Sequence, residues 1–458
     1  MDRQLLARVF VTGTMLAAAA PVLAQPATPP QATTQAAAST APVKPVVPRW
    51  ARVSFFAHGA VTSPVGGESS SFTELTTGVS TQSAQREASG FEYGLDARFG
   101  TYPSSEDRQA RVSVYDAYVA RRSMDGRLMV KGGQMWINDL GGVGSLAGGL
   151  VELRQAAPDH GLRWRLGGFF GVEPEIMRAG YVPGIRKAGG YVAFDGGGAR
   201  KHVVGYVNLR NQSLTERSVV TFTNYVPVRQ SFFLYQAAEV DVTGPGGQGN
   251  GGLTYFFANA RVAPAPRADV QLTFHHGRSV DARTITDDIL NGRPVSAKQL
   301  EGYLYESVNG RVTIEIVKNV RAFVGYGRDR NGSADPATAR LTFGASSSNL
   351  LGSGIDLYVT DYRYDRGSES SYDSWYVSVG RSLGSKAYVS GEFSSSLSVL
   401  RFTQSSGIVI ETRPTTKRFG GSIIVAATKA MSVQVTGEHT AGDGYRENRV
   451  LAGVVYRF

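Results

Sequence analysis

The sequence predicts an all-β protein: a single large antiparallel transmembrane β-barrel with an even number of strands, about 20 within a range of roughly 16 to 22, with short turns at one end and longer loops at the other. Three observations predict it. The chain opens on an export signal; its body alternates apolar and polar residues with period two between proline-marked breaks; and no later run reaches the roughly 18 apolar residues of a spanning helix.

The export signal comes first because it sets the compartment. Arg3 and Arg8 make a basic start, Val9 to Ala20 an apolar stretch, and Val22-Leu23-Ala24 a small-residue cleavage site before Gln25. That order defines a signal peptide over residues 1–24, and no cysteine follows it to carry a lipid anchor. Residues 25–48 are Pro, Ala, Thr and Gln with almost no charge, a composition that buries too little apolar surface to offset its ordering entropy. We read them as a disordered leader and residues 49–458 as the barrel.

Composition narrows the chemistry. The chain has no cysteine, which excludes a disulfide scaffold, a thiolate metal site and a cysteine nucleophile. The formal charge is +10, and falls to +9 when Arg3, Arg8 and Asp2 leave with the signal. In an exported chain that surplus points to lipid phosphates and anionic solutes rather than nucleic acid.

The body reads as strands. In Arg311 to Val317 one face is Val312, Ile314 and Ile316 and the other Arg311, Thr313 and Glu315. After a turn at Lys318-Asn319, Val320, Ala322, Val324 and Tyr326 repeat the apolar face. Leu162 to Phe170, Val203 to Arg210, Phe232 to Asp241, Val389 to Ser394, Phe419 to Ala427 and Ser432 to Glu438 behave alike. Prolines sit almost wholly between such runs, as paired central strands require, with Pro414 in a hairpin expected to rise beyond the membrane. Residues 70–90 leave one strand, two strands or a loop open.

Turn chemistry separates the two ends. Short connections at Ser123 to Gly126, Gly197-Gly198, Lys318-Asn319, Leu383 to Ser385 and Thr428-Lys429 belong to one, and longer ones around 137–148, 172–187, 279–301 and 328–338 to the other. Within the longest loop, Ser296 to Gln299 has the capping-box pattern of a short helix.

The last ten residues, RVLAGVVYRF, alternate Val450, Ala452, Val454, Tyr456 and Phe458 against Arg449, Leu451, Gly453, Val455 and Arg457. This ending resembles the terminal strand of Gram-negative outer-membrane β-barrels. The resemblance implies a place in the cell outer membrane, in contact with its lipid and lipopolysaccharide, a periplasmic site for the short turns and leader, and a barrel-assembly signal, read by the barrel-assembly machinery, in Val454, Tyr456 and Phe458. The stretch from Lys131 to Leu153 is loosely similar to the strand, loop, strand segment of larger porins, whose loop folds inward; its glycine content reads more simply as an external loop.

With lipid outside, the polar faces line the interior. The candidates are Arg127, Lys131, Arg163, Arg165, Arg210, Glu239, Asp241, Arg311, Glu315, Arg321, Glu392, Arg418 and Glu438. Basic residues outnumber acidic ones, so the expected function is a porin-like channel for passive diffusion of small hydrophilic solutes with mild anion preference. The alternatives are a non-conducting structural or export-associated barrel and, further off, an outer-membrane hydrolase.

Against catalysis, no serine lies in a nucleophile elbow, and no glycine loop precedes a helix for phosphate. His275 and His276 are adjacent and face opposite sides of a strand, and Asp287-Asp288 reads as a solvated helix start. No catalytic residue, metal or cofactor is expected, and no feature requires an oligomer.

Overall fold

The structure, a computed structural model, describes residues 50–458 except 84–89, 104–109, 157–160, 176–178, 229–230, 249, 333–336, 367–369 and 404–407. The signal peptide and leader read over 1–48 lie outside the described residues.

Among the described residues 23 strands follow one another. The first are β1 (Trp50–Pro64), β2 (Ser70–Gln82), β3 (Gly90–Thr101), β4 (Ala110–Arg122), β5 (Leu128–Trp136), β6 (Ser145–Arg154), β7 (Leu162–Pro174) and β8 (Tyr181–Gly196). Next come β9 (Lys201–Asn211), β10 (Leu214–Val228), β11 (Phe232–Thr243), β12 (Asn250–Ala265), β13 (Ala268–Ser279), β14 (Tyr303–Val317), β15 (Val320–Asn331) and β16 (Thr338–Ser347). The wall ends with β17 (Ile355–Asp365), β18 (Ser370–Leu383), β19 (Ala387–Thr403), β20 (Val409–Thr412), β21 (Thr415–Ala426), β22 (Met431–Gly442) and β23 (Tyr445–Arg457). Residues 70–90 hold one strand, β2, among the described residues.

Every neighbour pairs antiparallel, and β23 returns to β1 from Arg52↔Arg457 to Pro64↔Tyr445. The wall is a closed barrel of 22 strands. The short β20 is an extra piece above β21: it pairs with Leu400 to Thr403 at the far end of β19, and Arg413-Pro414 interrupts the ladder before β21 takes over at Leu397↔Thr415. Proline has no donor to give at that point, so the hairpin breaks there. Pro183, Pro227 and Pro264 fall inside strands, all near their ends, and Pro264 lies in the register shift between Val262 and Ala265.

The two ends differ as expected. Both described termini, Trp50 and Phe458, share an end, where Phe458 N–H donates to Ala51 O at 2.9 Å. The tight turns are at this end: Gly126 takes φ +70° and Asn319 φ +66°, values a two- to four-residue reversal demands. At the opposite end strands run further than the sequence suggests. β7 and β8 reach Pro174 and Tyr181, which shortens the connection read at 172–187, and β15 runs on to Asn331.

Closure makes a testable demand on β23. Ala452 lies opposite both Ala57 and Val435 in mid-wall. Ala452→Pro removes a ladder donor where lipid offers no substitute, a loss of several kcal/mol. The variant is expected to lose the gel-mobility difference between unheated and boiled samples that marks a closed barrel.

Candidate functional site

Register separates the two faces of the wall. Val53, Phe55, Val450, Val454 and Tyr456 fall on one face together with Val119, Val151, Leu166, Val204, Phe222, Val324, Phe343 and Phe419, all exposed. This apolar face is the outside. Aromatic pairs lie across it, Trp375 on Phe393 and Phe393 on Phe419 at 4.8 and 4.6 Å.

The other face carries most of the charged residues singled out in the sequence. Arg418 bridges Glu392 and Glu438 at 3.3 and 3.6 Å. Glu239 and Asp241 both hold Arg217, at 3.3 and 2.7 Å. Arg311 covers the Phe323 ring at 3.7 Å, and Glu315 stands opposite Arg321. Lys131 lies over the Tyr118 ring at 3.4 Å, while Arg163 and Arg165 sit on β7 facing Asp195 and Ala193.

Two of the thirteen are placed differently. Arg127 lies in the β4–β5 turn, exposed and beside Asp125, so it is not on the wall. Arg210 shares the outer face with Val204 and Tyr206 and stands directly opposite Arg186. The physical reason is that the inward phase of β9 is the apolar one, with Val203, Val207 and Leu209, so the phase that holds Arg210 faces outward.

What covers that inner face is the connection between β5 and β6. Ile137 N–H donates to Gly144 O at 2.9 Å and closes its base, and a 3-10 turn at Asn138–Val143 carries it inward. Gly141 turns the tip at φ +59°, ψ −133°, a conformation for glycine alone. Leu140, 1% exposed, packs in a cluster with Met135, Ile137, Val143, Leu146, Phe169, Tyr191, Val203 and Val207. A β-carbon at Gly205 would lie 2.3 Å from Leu140 Cδ2, so this glycine is the seat of the loop. The external-loop reading of these residues is therefore corrected: the segment folds into the barrel because its apolar residues match an apolar patch that the outside alone does not explain.

Two ionic clusters hold the loop. At the tip, Asp139 pairs with Lys201 and with Arg165 at 2.8 Å; Arg165 also meets Glu152 at 2.7 Å and Asp195 at 2.5 Å. Tyr191 O–H donates to Glu152 at 2.6 Å. Burial pushes the Asp139 carboxyl up, yet Arg165 and Lys201 outweigh it and hold it below the ordinary carboxylate value. At the base, Lys187 is 1% exposed; it meets Glu173 at 2.5 Å and donates to Ser145 O at 2.7 Å and Val143 O at 3.2 Å. Lys187, Lys201, Glu152 and Asp195 were not singled out from the sequence. Their inward phase was the available signal, but nothing local revealed that a loop would descend on them.

A second inward element lies nearby. Helix α1 (Ala282–Leu290) starts at Asp281, whose side chain accepts from Thr284 N–H, and α2 (Ala297–Glu301) has the capping box of Ser296 and Gln299. Asn211 Nδ2 donates to Thr286 at 3.2 Å and to Asp287 at 2.7 Å, and Arg283 meets Glu216 at 3.3 Å, which fastens α1 to β9 and β10. Asp287 and Asp288 thus fall in the last turn of α1 and not at a helix start; Asp288 is bonded to Arg293 at 2.6 Å.

Two cavities flank the loop. One of about 570 Å³ lies between its tip and β10 to β14 and is lined by Gly141, Arg217, Tyr235, Glu239, Tyr255 and Tyr305 among others. The other, about 350 Å³, lies toward the tight-turn end, where Arg122, Lys131, Arg154, Arg163, Arg165 and Lys201 face Glu92, Asp139, Glu152 and Asp195. Six bases against four acids leave that side positive.

No protein-family model matches this chain, and no curated protein matches it either. Among solved structures it is similar to OpdQ of Pseudomonas aeruginosa, at 9% identity over 90% of this chain and 99% of that one, with a TM-score of 0.42. It is similar to OccK8 (OprE) of the same organism at 8% identity, covering 90% and 98%, TM-score 0.42. For OccAB1 of Acinetobacter baumannii the figures are 8% identity, 90% and 97%, and 0.44.

Three outcomes follow for the loop. Gly205→Leu fills the seat of Leu140, and single-channel recordings are expected to show a larger conductance than the parent barrel. Lys187→Met leaves Glu173 without its buried partner, a loss on the order of 3–5 kcal/mol, read as a lower unfolding midpoint in detergent. Asp139, with its lowered pKa, keeps its charge below the value of about 4 at which a free aspartate protonates. Its contribution is present above that range and lost as pH falls through the lowered value. The step in conductance that comes from release of Asp139 is therefore expected only below pH about 4.

Proposed function

We propose that this closed, oily-walled barrel is an outer-membrane channel through which small hydrophilic solutes diffuse passively, with a mild preference for anions. We place it in the outer membrane, since a closed wall of paired strands with an apolar outer face is a form in which strands can cross lipid. One observation carries the channel: the infolded loop is seated against β5 to β10, while inner residues on the remaining wall, among them Arg311, Arg321 and Arg418, stay open to solvent. An inner wall filled by protein would be dry; this one is wet and charged.

The positive cluster below the loop supports the anion preference. Lys131, Arg163, Arg165, Arg311, Arg321 and Arg418 are our lumen-lining bases, and Glu239, Asp241, Glu315, Glu392 and Glu438 the acids that moderate them. Several are paired, so the surplus is modest. Val454, Tyr456 and Phe458 sit at the closing strand, with Tyr456 and Phe458 rings 4.6 Å apart, and we assign them the role of assembly signal.

Planar-bilayer recording tests the reading. Under a KCl gradient the reversal potential is expected to shift toward the chloride side, and the shift is expected to shrink as total salt rises and screens the fixed charges. A reversal on the potassium side removes the anion preference. A purified, closed barrel that passes no ions removes the channel and leaves a structural or export-associated wall.

A further inference from the structure

The inner face of β10 to β14, which also holds Arg217, Glu239, Asp241 and Arg311, carries a row of rings in contact across five strands. On it Phe233 meets Tyr225 at 5.3 Å between ring centres, and Tyr225 stands directly opposite Tyr235. Tyr235 meets Phe257 at 5.9 Å, Phe257 meets His275 at 6.2 Å, and His275 meets Tyr305 at 5.1 Å. All six are half-buried, with part of each ring open to the lumen.

The row runs along the barrel rather than only around it. Phe233 is the second residue of β11, at the tight-turn end, and its register passes through Arg261 and Gln271 to Arg311 on β14. Tyr305 lies six residues beyond Arg311 toward the other end, which is about 20 Å of strand rise. Along the row Tyr235, Tyr255 and Tyr305 line the larger cavity, across from the tip of the infolded loop.

Polar side chains edge the row. Asn259 Nδ2 donates to Thr273 at 3.0 Å just beneath it, Gln271 and Asn309 share its face, and Glu239 and Arg217 stand beside Tyr255. A lipid tail would meet these groups with unpaired polar atoms, at a cost. A single aromatic solute needs one ring, not six. A sugar chain suits both features, because each unit offers an apolar C–H face to a ring and hydroxyls to the edges, and successive units repeat along the row.

We propose that the row from Phe233 to Tyr305 is a binding track for linear oligosaccharides, a substrate class for the channel reading on which it rests. Binding is weak at each ring and adds along the chain, which lets the solute move on. The opposing charged wall keeps the remaining water path open.

The test uses the full-length barrel in planar bilayers with neutral β-linked gluco-oligosaccharides of one to six units as probes. Interruption of the ion current is expected to tighten with length, with hexamer bound at least about tenfold more tightly than dimer, given the few-fold gain of each added ring contact. Tyr235→Leu with Phe257→Leu is expected to weaken hexamer block about tenfold or more, while Tyr235→Phe, which keeps the ring, retains it. Block independent of length, block by benzoate equal to that by the hexamer, or an unaltered double variant overturns the track while the channel stands. If the barrel passes no salt, calorimetric titration of hexamer into the detergent-solubilised protein still decides: no heat of binding overturns the track, and binding lost in the double variant supports it.

Discussion

Backbone hydrogen bonding in a medium that supplies none is the constraint behind this molecule. A strand edge in lipid leaves a row of unpaired donors and acceptors, each costing several kcal/mol, so a sheet entering the membrane must find its own beginning. Here β23 meets β1 over its whole length, from Arg52↔Arg457 to Pro64↔Tyr445. Prolines in the ladder fall where its pairing ends or is interrupted: Pro183, Pro227 and Pro264 lie near strand ends, and Arg413-Pro414 separates the short β20 from β21.

Closure creates an inside, and inserting a loop there changes what the inside must be made of. Leu140 loses contact with water only because Val203, Val207 and Gly205 offer an apolar, shallow bed. The same descent carries Asp139 away from bulk water, which is tolerable because Arg165 and Lys201 meet it. Lys187 at the loop base is buried as a charge and surrounded by Glu173 and two carbonyl oxygens. Apolar seat and ionic tethers are one device: the first drives the loop inward, and the second sets where it stops.

The result is a lumen with two characters. From β4 to β9 the wall is ionic toward the tight turns, beside the apolar seat of the loop, with arginines and carboxylates in direct pairs. From β10 to β14 a row of rings runs beside the charged groups, with ring meeting ring from one strand to the next. Charged groups and rings thus line the cavities on the two sides of the infolded loop.

Period-two alternation made the wall legible from the residues alone, because a strand between lipid and water has one face of each kind wherever nothing else touches it. Arg311 to Val317 and the terminal RVLAGVVYRF are such places, and their faces lie where their pattern puts them. Arg210 and the Lys131 to Leu153 segment are not. On β9 both faces are apolar, since one meets lipid and the other a loop from sixty residues earlier, roughly, in the chain, and alternation cannot say which is which. The partners of Asp139, the burial of Lys187 and the continuity of the aromatic row arise between strands far apart in sequence. Local pattern expresses only what each strand meets in its solvent, whereas these contacts exist only once the sheet has closed and brought its inner surfaces face to face.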